Sequence, residues 1–229
     1  MMEAYIIKRE KYIDVVAGFM IAVVIFHHCK HFSHFQCPFL YYFIGFTMPW
    51  FFYKSGMFFT PKQQSTLMKK DANKLLHSFF FYSFVGWVVW SACGLIDGSL
   101  MIKDCIIKPI KLFFHCGCFL GNRALWFLLS LFIVRECANI MLKKMPPTVL
   151  SAICFLLAFT LYAFGWYRYS WWFGNIFSGM CFFGFGYWLK GKNNTILIML
   201  SIVFLSFVVF AISIGWIRCF PRLSMIKIR

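Results

Sequence analysis

Two kinds of side chain that can do chemistry stand in the first apolar run, KYIDVVAGFMIAVVIFHH. Asp14 and His28 are 14 residues apart there. In an α-helix this separation is about 21 Å along the axis, and the two residues lie within about 40° of the same face. They would share a stripe without touching. A catalytic partner for His28 must therefore come from another helix.

His28 is the candidate for acid–base chemistry. A buried imidazole that is neutral at pH 7 can remove a proton from a hydroxyl nucleophile. The alternative is a histidine that bonds neighbouring helices or lies at headgroup level. Lys54, in FFYKSGMFF, falls at a depth similar to that of Asp14. A buried Asp14–Lys54 pair is the structural interpretation, and snorkelling of Lys54 to the headgroups is the other.

A third group of candidates precedes the apolar run LWFLLSLF. Arg123, with Asn122 before it, could hold an anionic group of a substrate, and Trp126 offers a flat ring for a sugar or an acyl chain. The alternative interpretation explains them equally well: Arg and Trp are ordinary anchors at the membrane interface. The ten cysteines are scattered, and His115-Cys116-Gly117-Cys118 is a weak zinc signal. We interpret the cysteines as packing residues and predict no metal.

The composition indicates which solvent surrounds these residues. Hydrophobic residues make up 62% of the 229 residues and charged residues 13%, against about 25% charged in soluble domains. Such a chain exposes too much apolar surface for water, so we expect a lipid environment. This excludes a cytosolic enzyme, a DNA-binding domain and a disulfide-rich secreted module. The formal net charge of +16 is explained by membrane topology and anionic headgroups.

The apolar runs predict an all-α fold, a polytopic transmembrane helix bundle with about seven spans, because backbone groups in lipid need internal partners. The predicted spans are Tyr12 to about Phe32, Phe39–Thr60, Leu76–Ile96, Ala124–Leu142, Val149–Trp166, Trp171–Leu189 and Thr195–Ile217. Between the third and fourth runs, Lys103–Gly121 contains Pro109 and several lysines. We expect an interfacial or re-entrant segment there.

Basic residues in alternate loops predict the orientation. One side collects twelve, with Arg135 counted among them, and the other collects six, so the N-terminus is expected to be cytoplasmic. Seven spans would place the last four basic residues outside, at Arg218, Arg222, Lys227 and Arg229. Either the last apolar run does not cross, or the chain is a shortened version of a protein with more spans.

The order of several motifs resembles the acyltransferase 3 family, polytopic bacterial membrane enzymes that O-acylate sugars and other acceptors. Asp14 and His28 fit the family's first helix, and Ser55-Gly56 matches its FF-x-SG-x-F second helix. KKDANKLLHSFFFYSFVG resembles the basic turn into the third helix. ALWFLLSLFIV resembles the LWFL helix, and GMCFFGFGYWLKGK the Gly-rich sixth helix.

The resemblance implies one membrane-embedded domain over residues 1–229 that transfers an acyl group, commonly acetyl, from cytoplasmic acyl-CoA to a sugar hydroxyl of a surface glycan or glycolipid. His28 would then be the general base, and Lys69, Lys70 and Lys74 would attract the CoA phosphates. Asp14, Lys54, Asn122, Arg123 and Trp126 are the candidate substrate-binding residues. The partners would be the lipid bilayer and the acceptor. The protein would be located in the bacterial cytoplasmic membrane.

Two features depart from the family pattern. Ala17 stands where the family carries a basic residue, and the family usually has about ten spans, so the C-terminal spans are expected to be missing. The rival interpretation is a catalytically inactive or truncated membrane protein that acts as a transporter fragment or assembly partner.

Overall fold

The computed structural model describes residues 11–28, 38–119, 123–166 and 169–190, and these residues form helices and connecting turns without a strand. The all-α prediction is confirmed over these ranges. The helices are α1 (Lys11–His28), α2 (Pro38–Met57), α3 (Gln64–Asp71), α4 (His77–Ile96), α5 (Ile102–Cys116), α6 (Trp126–Met141), α7 (Pro147–Ala163) and α8 (Trp171–Leu189).

The chain divides into two compact units. The first comprises Met1–Phe51 with Gly191–Arg229, and the second comprises Phe52–Lys190. In the first unit, α1 buries Met20 and Val23 and exposes Phe19. The second unit contains the end of α2 and all the helices from α3 to α8. The predicted last span, Thr195–Ile217, lies outside the described residues.

One helical rod is longer than the sequence predicted. The apolar run predicts a helix from Leu76, but helical backbone begins at Gln64 and continues to Ile96 through α3, a π turn at Ala72–Leu76 and α4. Its 33 residues are about 50 Å long, against a hydrocarbon core of about 30 Å. Among the described helices this one is both long and apolar enough to cross a membrane, and Pro147–Ala163 is apolar but shorter. The count of seven spans remains a prediction.

The predicted interfacial or re-entrant segment contains helix α5, which runs antiparallel to α4. Three contacts show this direction, because their positions rise along the segment 100–119 while they fall along α4. The Leu100 N–H donates to the Gly94 carbonyl at 3.0 Å, the Trp87 indole N–H donates to the Cys105 carbonyl at 2.8 Å, and the Phe119 ring lies 6.3 Å from the Phe79 ring. The 15 residues of α5 give a length of about 22 Å, too short for a full crossing.

The indole contact to α5 repairs a defect in its backbone. Pro109 lies inside α5 and has no N–H to donate to the Cys105 carbonyl four residues earlier. Trp87 supplies that hydrogen bond from α4. At the other end of α5, the Phe114 carbonyl accepts from Trp172 Nε1 and Ser170 Oγ, both at 3.2 Å. Both sets of hydrogen bonds tie α5 to its neighbours, because apolar surroundings make an unpaired carbonyl costly.

Glycines allow α2 and α8 to approach at backbone distance. A Cβ at Gly56 would overlap the Phe183 carbonyl, and a Cβ at Gly186 would overlap the Tyr53 carbonyl. Small residues at such crossings are typical of helix packing in membranes, where close contact replaces the hydrophobic effect. The contact fixes the end of α2 that carries Ser55.

Gly186→Ala is expected to force α2 and α8 apart, because the obstacle is backbone and not a flexible side chain. We expect a loss of about 2 kcal/mol in the free energy of unfolding, measured by thermal unfolding in mild detergent. Gly174→Ala in the same helix is the control, because nothing lies within 4 Å of its added Cβ. Equal stability of the two variants would contradict this account of the crossing.

Candidate functional site

Arg135, in the third turn of α6, joins three helical segments of the second unit. Its Nε donates to Asp71 Oδ2 at 2.5 Å, its Nη2 to Asp71 Oδ1 at 3.3 Å, and its Nη1 to Ser55 Oγ at 3.1 Å. The Asp71 side chain is 4% exposed and that of Arg135 21%. The guanidinium also lies over the Phe59 ring, 5.3 Å from its centroid. A planar fork suits this bidentate pairing in a partly buried site.

The local sequence positions all three partners. On α6, Ser130, Val134 and Ala138 are buried at helical spacing, so the neighbouring Arg135 is directed along the edge of the packed face. Asp71 ends α3 immediately before the π turn and is buried, while the residues beside it are not. The carboxylate therefore points toward α6.

Asn139, one turn after Arg135 and fully buried, fixes the loop between α2 and α3. Its Oδ1 accepts from Lys62 N at 2.9 Å, and its Nδ2 donates to the Lys62 carbonyl at 3.0 Å and to Gln64 Oε1 at 2.7 Å. Gln64 Nε2 in turn donates to Glu136 Oε2. The amide satisfies both backbone groups of Lys62, as a neighbouring strand would.

Two further lysines cap the same loop. Lys143 Nζ donates to the Lys62 carbonyl at 2.8 Å, and Lys190 Nζ donates to the Phe59 carbonyl at 2.6 Å. Burial lowers the pKa of the Lys190 ammonium. Lys62, Lys143 and Lys190 thus meet at one end of the second unit, as the grouping of basic residues in alternate loops predicted.

The lysines expected to attract CoA lie beside this ion pair. Lys69 and Lys70 are exposed in the last turn of α3, and Lys74 is exposed in the π turn. Asp71 lies between them in the chain but turns inward to Arg135. Because Arg135 neutralises the carboxylate, the field of the three ammonium groups at the surface is not cancelled.

The other predicted site residues are distributed over both units. Asp14 is half-buried in α1, and His28 is the last residue of that helix, with its side chain outside the described residues. Lys54 is half-buried in the last turn of α2. Asp14 and His28 do lie in one continuous helix, as their spacing predicted. The Asp14–Lys54 pair joins residues of different units and remains a prediction.

The residues before the fourth apolar run are placed at the start of α6. Arg123 opens a short 3-10 turn, Arg123–Leu125, and its side chain, like Asn122 as a whole, lies outside the described residues. Trp126 is half-buried at the first position of α6 and packs edge-to-face on Phe127. In the described part of the chain, no three His, Cys, Asp or Glu residues are grouped as metal ligands. His115 Nδ1 lies 3.1 Å from Cys116 Sγ.

A family model described as an acyltransferase domain, that of the acyltransferase 3 family, matches residues 10–224. The chain belongs to this family. Its members are membrane proteins. Searches of curated proteins and of solved structures gave no match. The family assignment confirms the resemblance read from the motifs of the first six helices.

Within this acyltransferase-family chain, the structure corrects the assignment of Arg135. The loop count groups it with the basic residues outside the membrane, but it lies inside α6 and is ion-paired. Its removal leaves eleven basic residues against six, so the asymmetry persists. One sequence feature could have indicated the buried ion pair: Arg135-Glu136 stands inside an apolar run. Ionisable groups in such a run usually have a function or a buried partner.

Arg135→Gln should be strongly destabilising, because it leaves the buried Asp71 carboxylate without its counter-charge. We expect a loss of about 3 kcal/mol in the free energy of unfolding. The double variant Asp71→Asn with Arg135→Gln should lose less than the sum of the two single variants, because no unpaired charge remains. Thermal unfolding of the purified proteins measures both quantities.

Asp97→Asn is the matched control, because Asp97 is exposed just beyond the other end of the same helical rod. It should change the stability by less than about 0.5 kcal/mol. An Arg135→Gln protein as stable as this control would show that the ion pair does not hold the helices together.

Proposed function

We propose that this protein is an integral membrane O-acyltransferase that moves an acyl group, in our proposal acetyl, from cytoplasmic acyl-CoA to a sugar hydroxyl of a surface glycan or glycolipid. The observation that carries the proposal is the family match over residues 10–224. The remaining support comes from the charges and contacts at one end of the second unit.

The acyl donor is assigned to the turn that carries Lys69, Lys70 and Lys74. CoA is polyanionic, and exposed lysines raise its local concentration and hold its phosphates. The Asp71–Arg135 pair supports this role, because it removes the one carboxylate of the turn from the surface and fixes the turn against α6. Lys74 follows Lys70 by four residues across the π turn.

The acceptor chemistry is assigned to His28. In our proposal its imidazole takes the proton of the acceptor hydroxyl as the oxygen attacks the thioester carbonyl carbon. The C–S bond breaks, the C–O bond forms, and the CoA thiolate receives a proton. His28 would serve equally to help pass the acyl group toward the acceptor. Asp14, Lys54, Asn122, Arg123 and Trp126 are proposed to bind and orient the substrates.

His28→Ala is expected to reduce glycan acylation by at least about 100-fold, the low end of what a general base contributes. The measurement is mass spectrometry of glycans from cells that express the variant at wild-type level. His77→Ala is the control, because His77 is exposed at the start of α4, where its ring stacks near Phe81. Acylation that survives in the His28→Ala cells would remove this residue from the mechanism.

Replacing Lys69, Lys70 and Lys74 together by Gln should raise the KM for acyl-CoA about tenfold, because the electrostatic attraction of the phosphates is lost. The KM for the acceptor should not change. The difference from wild type should shrink at high salt, since salt screens exposed charges. Steady-state assays of protein reconstituted in lipid provide both constants.

The matched control is the triple variant Lys103→Gln, Lys108→Gln and Lys111→Gln, which removes the same charge from α5. A general loss of positive charge would raise the donor KM in both triple variants. A donor site at the turn that carries Lys69, Lys70 and Lys74 would raise the donor KM only in the variant of those three lysines.

A further inference from the structure

One thiol of the second unit lies within hydrogen-bonding distance of an imidazole. Cys116 Sγ is 3.1 Å from His115 Nδ1, and both residues are half-buried at the end of α5. In the tautomer that carries its proton on Nε2, the His115 ring accepts the thiol proton at Nδ1. Four other cysteines of the described part of the chain are buried: Cys105, Cys118, Cys154 and Cys181. Those four suit the packing role that the sequence predicts, whereas Cys116 has a base beside it.

The turn that carries this pair is held in place by aromatic rings. Gly117, in the left-handed region with φ 69°, ends α5, and an added Cβ there would overlap the Trp172 ring. The Trp172 indole donates to the Phe114 carbonyl at 3.2 Å. The Phe113 and Phe119 rings stack across the turn with their centroids 5.1 Å apart. The thiol and the imidazole therefore belong to a turn whose backbone is fixed on both sides.

The end of a helix favours the charge that the imidazole acquires. His115 lies in the last turn of α5, where the carbonyl end of the helix dipole favours a positive charge. An imidazolium formed by uptake of the thiol proton is stabilised there. It in turn stabilises the Cys116 thiolate beside it, and the thiolate is the nucleophilic form of cysteine. The pair therefore has the parts of an activated nucleophile, a thiol and a base in contact with it.

The pair is also within reach of the donor site of the proposed function. The Phe119 ring lies 6.3 Å from the Phe79 ring, so the end of α5 is beside the first turn of α4. Phe79 follows Lys70 by nine residues, about 13 Å of helix, and Lys74 by five, about 7 Å. The pantetheine arm of CoA is about as long as four extended residues, about 14 Å. A donor held by its phosphates at these lysines can therefore bring its thioester to the level of Cys116.

We propose that Cys116 is a covalent acyl carrier and that His115 is its general base, an inference that rests on the proposed function and divides its transfer into two steps. The Cys116 sulfur attacks the carbonyl carbon of the acyl-CoA thioester while His115 Nδ1 takes the thiol proton. A C–S bond to Cys116 forms, the C–S bond to CoA breaks, and the proton passes from His115 to the CoA thiolate.

The second step returns the pair to its starting state. The acceptor hydroxyl attacks the carbonyl carbon of the Cys116 thioester, the C–O bond forms, and the C–S bond to Cys116 breaks. A general base carries the hydroxyl proton to the Cys116 sulfur. No oxidant, reductant or further reactant is needed.

An acyl-enzyme that forms without an acceptor distinguishes this route from direct transfer. The test incubates the full-length protein in lipid with acetyl-CoA labelled in the acetyl group, and mass spectrometry of its peptides locates the label. We expect acetyl on Cys116 that neutral hydroxylamine releases, as it does from a thioester. The protein should also exchange labelled CoA into acetyl-CoA without an acceptor, since ping-pong transfer requires this half-reaction.

Variants of the pair assign the two roles. Cys116→Ala should abolish the exchange. Cys116→Ser, which keeps the size of the side chain, should abolish it as well, because an oxygen ester does not return its acetyl group to CoA. His115→Gln should slow the exchange at least about 100-fold, the low end of what a general base contributes. Cys93 is an exposed thiol on α4: its peptide measures uncatalysed acetylation, and Cys93→Ala should retain the exchange.

Two results would overturn the acyl carrier. One is an exchange that survives in Cys116→Ala. The other is a wild-type protein that acetylates the glycan but neither exchanges CoA nor acquires a thioester, and this result leaves the proposed function intact. A thioester at Cys116 in a protein whose cells carry no acetylated glycan would support the acyl carrier and contradict the sugar acceptor of the proposed function.

Discussion

The ion pair between Arg135 and Asp71 is the interaction on which the arrangement of the second unit depends. One guanidinium uses all three of its nitrogens, two on Asp71 and one on Ser55, so it ties α6 to both α3 and α2. Its surroundings are only slightly open to solvent, which makes the loss of either charge costly. The same pairing allows a carboxylate to exist inside a turn of exposed lysines without cancelling their charge.

A second constraint is the satisfaction of backbone groups by side chains. Asn139 pairs both backbone groups of Lys62, and Trp87 replaces the donor that Pro109 lacks. In each case a polar side chain on one helix completes the hydrogen bonds of a segment elsewhere in the chain. Where water is scarce, such bonds set the position of the segment as much as apolar packing does.

Much of the helix pattern could be predicted from the sequence, because apolar runs of sufficient length have one compatible backbone form in lipid. The run Trp171–Leu189 matches α8 residue for residue, and α2 and α6 differ from the predicted spans by a few residues at their ends. The early start of the third helix could not be predicted from hydropathy. Its first turns, QSTLMKKD, are polar and are held by α6 instead of by an apolar face.

The candidate site was predictable only in part. The lysines of the α3 turn and the Ser55-Gly56 pair could be identified from motif order. The Asp71–Arg135 contact could not, because the partners are 64 positions apart and a sequence does not state which buried charges meet. Arg135 was instead counted with the basic residues of the loops, although it lies inside the predicted span Ala124–Leu142, because basic residues near the ends of apolar runs usually belong to loops.

The π turn at Ala72–Leu76 has a consequence for how this chain compares with others of its family. A π turn bonds residue i to i+5 and so accommodates one residue more than the α-helical turn it replaces. Deleting a single residue there would give a regular α-helix without rotating α4 relative to Asp71. A one-position gap at this point of an alignment would therefore mean that one chain has an α-helical turn where the other has a π turn. The orientation of α4 would be the same in both chains, and no structural element would be lost.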